Sequence, residues 1–125
     1  MLALLYPHVD FNNRFHEDHI FRRSRFSPTK LRAAQVPEER IAAFRSRVDC
    51  IANLQLLEGT PNQEKSAKLP ADWLRSHHPT EEARSLWRTR NYVDELPESI
   101  IEFVEFYERR RSAMKTALAR ALGVP

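Results

Sequence analysis

The sequence predicts a mostly helical α+β domain: one short two-stranded antiparallel hairpin with helices flanking it. Three observations carry that expectation. Two glycines against eight prolines in 125 residues favour helices with abrupt stops over extended sheets. Two short stretches, 15–21 and 53–57, have the apolar ends and weak alternation of short strands. From Pro97 onward, apolar residues recur at helical spacing. At 42% hydrophobic and 30% charged, the chain suits a single folded domain, 1–125, with a modest core.

Residues 1–13 read as an apolar lead-in that packs on the core, closed by a polar turn at Asp10-Phe11-Asn12-Asn13. In a longer relative this segment would end a preceding helical domain, so the chain can be a fragment. Met1 to Tyr6 has no basic leader and no small-residue cleavage site, so no secretory signal is expected. No apolar run approaches the ~20 residues of a membrane span. The single cysteine, Cys50, excludes an intrachain disulfide and a multi-cysteine zinc cage. Between Val48 and Ile51 it reads as a packed thiol, and a reducing cytoplasm is the simplest compartment.

The strand at 15–21 runs into a loop broken by Ser27-Pro28. Residues 29–47 favour helix, with a fresh start at Pro37-Glu38-Glu39, where acids suit the dipole. Ile41, Phe44 and Val48 form one buried stripe. A second strand covers 53–57, and Gly59-Thr60-Pro61 turns the chain. Thr60 and Gln63 make a capping box with Pro61 at the first helical position, which places Asn62 and Lys65 on one face of the helix that follows. Pro70 to Leu74 is a short helical turn that packs Trp73. Thr80 caps a helix carrying Leu86 and Trp87 that fades near Asn91. The last helix opens at Pro97, with Ile100, Val104, Tyr107, Met114 and Leu118 near one face and Phe103 and Phe106 widening it. Arg109-Arg110-Arg111 reads as a solvated collar, and His77-His78, followed by Pro79, as a polar linker.

Net charge is only +3, but Arg22, Arg23, Arg25, Lys30 and Arg32 form a run of five cations without an intervening acid. Such a patch steers nucleic acid. By itself it reads equally well as a solvated loop.

The order D-H-I at Asp18-His19-Ile20, N-L-x-L-L at 53–57 and N-x-x-K at 62–65 resembles the HNH nuclease family. It is most similar to the C-terminal HNH domain of GmrSD-type restriction proteins. The resemblance covers 16–74, with Trp73 where those domains often place one, and the F-x-x-F-Y-x-x-R-R-R helix is similar to their tail. It implies a ββα-metal core (hairpin plus helix) at 14–75 and a helical C-terminal extension at 80–122. It implies one divalent metal, Mg2+ or Mn2+, on Asp18 and Asn62, with His19 as general base. Asn53 would hydrogen-bond the loop and orient the histidine, and Lys65 would stand near phosphate. DNA is the implied partner, with RNA left open and no membrane, and a nucleotide-hydrolysing N-terminal domain or subunit can accompany it. Two features depart from the family. Arg22 stands where a proline is usual, and the paired CxxC zinc motifs of many relatives are absent, so no structural zinc is expected.

The chemistry is consistent with these roles. Phosphodiester hydrolysis needs an activated water, charge stabilisation on the phosphate and help for the departing 3′ oxygen. Hard cations take carboxylate and amide oxygens, and a neutral histidine is a competent base near pH 7. Adjacent strand residues point to opposite faces, so a loop or bulge must aim Asp18 and His19 at two sides of one phosphate. His16 and Glu17 read as exposed or supporting groups. The competing expectations are a non-catalytic nucleic-acid-binding module that uses the 22–32 patch and, more weakly, a helical interaction domain.

Overall fold

A computed structural model describes residues 5–6, 15–58 and 69–123. In chain order its elements are β1 (Phe15–His19), α1 (Pro28–Ala33), α2 (Ile41–Arg47), β2 (Leu54–Glu58), α3 (Pro70–His77), α4 (Glu81–Arg90) and α5 (Phe103–Ala121). Short 3-10 turns at Arg23–Arg25, Glu38–Arg40, Ile51–Asn53 and Ile100–Glu102 join them. The fold is mostly helical α+β, as expected, and its one sheet among the described residues is the antiparallel pair β1-β2. The helix expected from Thr60, with Asn62 and Lys65, and the turn at 10–13 lie outside the described residues.

Local chemistry accounts for the boundaries. Ser27 Oγ accepts from the Lys30 amide at 3.2 Å and Pro28 occupies the first turn, so α1 starts where the sequence broke the strand. The helical stretch 29–47 divides into α1 and α2 at the restart expected at Pro37. Gln35 takes a left-handed φ of 69° and the Val36 amide reaches back to Leu31 O, a closure that ends α1 before Pro37 restarts the chain. Thr80 Oγ1 caps α4 through the Ala83 amide. The last helix departs from expectation at its start. Ser99, not Pro97, caps the 3-10 turn Ile100–Glu102, its Oγ accepting from the Ile101 amide, and α5 follows from Phe103 with no side-chain cap of its own.

α5 is the spine of the core. Phe103, wholly buried, packs its ring 5.3 Å from Phe21, 4.8 Å from Phe26 and 5.8 Å from Phe44. Phe106 lies 5.6 Å from Phe21. The segment 80–122 is therefore integral to the core that holds the hairpin. Each aromatic pair adds about 0.5–1.5 kcal/mol beyond area burial, and Phe103→Ala would cost about 3–5 kcal/mol. The Ile41, Phe44 and Val48 stripe is buried as its spacing predicts. Trp73 and Trp87 pack at 5.7 Å, while Leu86 is exposed.

Two expectations fail. The collar at 109–111 is not uniformly solvated, because Arg110 is 1% exposed. Its guanidinium donates to Asn91 O at 2.9 Å, Ile51 O at 3.3 Å and Tyr6 Oη at 3.1 Å. Tyr6 donates to Asn91 Oδ1 at 2.7 Å, so one buried network ties the lead-in, α4 and α5 together. Burial pulls Arg110 below the usual guanidinium range, opposed by Tyr6. Cys50, expected to be packed, is exposed, because it sits in the turn after α2 with Sγ 3.4 Å from Ser46 O.

Candidate active site

The site is built on the hairpin and on one buried asparagine. Phe15 pairs with Glu58, Glu17 with Leu56, Asp18 with Gln55 and His19 with Leu54. The ladder continues one step further, with the Ile20 amide donating to Asn53 O at 2.7 Å. The register has no bulge through His19, so Asp18 and His19 leave the ribbon on opposite faces. The chain bends immediately afterward, at Ile20 and Phe21. The re-aiming expected of a loop therefore begins after His19.

Asn53 holds that bend. It is completely buried. Its Oδ1 accepts from the Phe21 amide at 2.9 Å, and its Nδ2 donates to Phe21 O at 3.0 Å and Val48 O at 2.8 Å. The side chain thus satisfies three main-chain groups in a place water does not reach. The loop behind His19, the end of α2 and the start of β2 meet at this one amide.

His19 is 30% exposed and its Nε2 lies 2.8 Å from Asp49 Oδ1. A carboxylate only accepts, so Nε2 carries the proton and a neutral imidazole has its lone pair on Nδ1. Asp49 is also 3.7 Å from Arg23 Nε. Sequence reading did not single out Asp49, since nothing local marks an acid in the turn after α2 as the partner of a histidine 30 positions earlier.

An open groove of about 820 Å³ adjoins this pair, with Arg23, Ser27, Arg45, Ser46 and Asp49 among its lining. The basic run is less uniform than its sequence suggests. Arg32 is held by Glu38 through two hydrogen bonds of 2.8 Å, which pulls the exposed Glu38 carboxyl below its usual range. Lys30 Nζ donates to Ser24 O. Arg22 and Arg25 are half-buried, and of the five Arg23, exposed and 3.7 Å from Asp49, is the one that lines the groove.

Asp18 is half-buried and shares its face with Gln55. Gln55 is completely buried, and neither of its amide atoms has a hydrogen-bond partner among the described residues. A carboxylate beside a buried amide is oxygen-donor chemistry of the kind hard divalent cations take. Asn62, the other expected ligand, and Lys65 lie outside the described residues. Among the described residues, no group of three or more His, Cys, Asp or Glu side chains is placed to hold a metal. His77 stacks on Trp73 at 5.1 Å and His78 is half-buried, its imidazole held below the usual range by burial and by His77. No described helix is long and apolar enough to cross a membrane.

No protein-family model matches the chain, and no curated protein matches it.

Proposed function

We propose that the chain is a metal-dependent endonuclease of the HNH class, with a ββα-metal core, that hydrolyses phosphodiester bonds in DNA in a restriction or defence setting. The observation that carries this reading is the Asn53 amide. It ties down the bend directly after His19, which is the role the family motif gives its middle asparagine. The register that pairs Asp18 with Gln55 and His19 with Leu54 supports it further, by putting a carboxylate and an imidazole on the two sides of one strand end.

In this reading Asp18 and Asn62 hold one Mg2+ or Mn2+, which when bound supplies positive charge at the phosphate and at the departing oxygen. His19, held by Asp49 at 2.8 Å, takes a proton from water. The water oxygen bonds to phosphorus, the bond from phosphorus to the 3′ oxygen breaks, and that oxygen takes a proton from solvent. Lys65 stands near the phosphate. Arg22, Arg23, Arg25 and Lys30 attract the strand, and Arg32 contributes less because Glu38 already neutralises it. A reducing cytoplasm and a nucleotide-hydrolysing partner domain or subunit belong to the same proposal.

The test is nicking of supercoiled plasmid in Mg2+ or Mn2+, with an RNA substrate in parallel. The expected result is nicking of DNA that EDTA abolishes, either metal restores, and Asp18→Ala removes. Nicking that persists in EDTA or in Asp18→Ala overturns the reading. The second reading, binding without cleavage, draws on Arg23 and Arg45 along the groove. It predicts salt-sensitive DNA binding with no product in any metal.

A further inference from the structure

The face of the hairpin that carries Asp18 holds a group to which the chemistry above gives no task. Gln55 stands directly opposite Asp18 in the ladder. Opposed residues leave the ribbon on the same face, with Cβ atoms about 4.5–5.5 Å apart. Gln55 is 0% exposed, and among the described residues neither Oε1 nor Nε2 has a hydrogen-bond partner. A primary amide offers two donors and an acceptor with two lone pairs, and burying them unmatched is destabilising. Leucine, which the same strand carries at 54, 56 and 57, would fill this position without that penalty. A buried polar group that breaks the local pattern calls for a partner that the described residues do not supply.

We propose that Gln55 is a metal ligand, its Oε1 joining Asp18 as an oxygen donor to the divalent cation. This rests on the reading of Asp18 as the metal-bearing carboxylate. An amide oxygen suits the task because it is a hard donor that adds no charge. With Asp18 it forms a singly negative donor pair, which leaves charge on the cation for a phosphate. Sequence resemblance assigns no role to the residue between the asparagine and the leucine pair of N-L-x-L-L, so the assignment comes from burial and register alone.

The experiment is Mn2+ binding to the full chain without nucleic acid, followed by calorimetry and by the electron paramagnetic resonance signal of free Mn2+. Wild type, Asp18→Asn, Gln55→Leu and Gln55→Glu are compared, each with a thermal melt in EDTA. Wild type should bind Mn2+ and Asp18→Asn should not. Gln55→Leu should bind at least about tenfold more weakly while melting at a higher temperature than wild type in EDTA. Gln55→Glu keeps the oxygen and adds a charge facing Asp18, so it should melt lower in EDTA and recover in Mn2+. Wild-type affinity in Gln55→Leu, with Asp18→Asn inactive in binding, overturns the role of Gln55 alone and leaves a buried amide satisfied by water. Should Gln55→Leu not fold, a Gln55→Glu melt that Mn2+ fails to raise overturns it equally. Absence of Mn2+ binding in wild type overturns both this assignment and the nuclease reading.

Discussion

Replacing Asn53 by alanine should damage the protein twice, once in stability and once in the site. The substitution deletes three hydrogen bonds of 2.8–3.0 Å to the Phe21 amide, Phe21 O and Val48 O. Phe21 is wholly buried and Val48 nearly so, so water does not readily replace the lost partner. Each buried group left unpaired costs about 1–3 kcal/mol, and carbonyls tolerate it better than amides, which gives a sum of about 3–5 kcal/mol. At about 2.1 cal/mol/K per residue, a chain of this length has an unfolding entropy of about 0.26 kcal/mol/K. The melting temperature should therefore fall by about 12–19 °C. A typical domain has about 5–15 kcal/mol in hand, so the variant should still fold in the cold. Cleavage measured there should drop about 100-fold, because the bend behind His19 is no longer held. Asn53→Asp should be worse than alanine, since it turns a buried carboxylate toward two carbonyl oxygens. Far-UV circular dichroism melts and single-turnover cleavage at low temperature make the measurement. A melting temperature within about 4 °C of wild type would refute the reasoning, because it would mean the three groups find other partners.

Two further outcomes follow from the geometry. Arg110→Lys should destabilise more than Arg110→Met, as measured by thermal melts. Lysine keeps the buried charge but cannot span Asn91 O, Ile51 O and Tyr6 Oη as a planar fork does, whereas methionine removes the charge and its desolvation; the reverse order would contradict this. Asp49→Asn should lower kcat about fivefold with KM unchanged, since a carboxylate that is 57% exposed contributes no more than about 1 kcal/mol to orienting His19. An unchanged kcat would remove Asp49 from the site.

What the sequence made legible was the part written in short-range pattern. The hairpin strands, the Ser27 and Thr80 caps and the stripe of Ile41, Phe44 and Val48 each depend on residues within a few positions of one another. Arg110 was legible too, in principle. It falls on the buried face with Phe103, Tyr107 and Met114, and only its membership in a run of arginines disguised it. Gln55 likewise shows as a polar residue among leucines once the strand register is known. Asp49 had no such signal. Its approach to His19 depends on α2 ending beside the hairpin, a long-range consequence of Phe44 and Phe21 packing on one ring, Phe103. The exposure of Cys50 was hidden for the same reason. Its neighbours are apolar, but the turn after α2 points the thiol outward.

The central claim is that His19 takes the proton from the attacking water. The measurement that tests it most directly is the single-turnover rate of plasmid nicking in Mn2+ by wild type and by His19→Ala, with both shown to be folded by circular dichroism. The account predicts a rate lower by about 100-fold or more in the variant. Equal rates in the two proteins would contradict it.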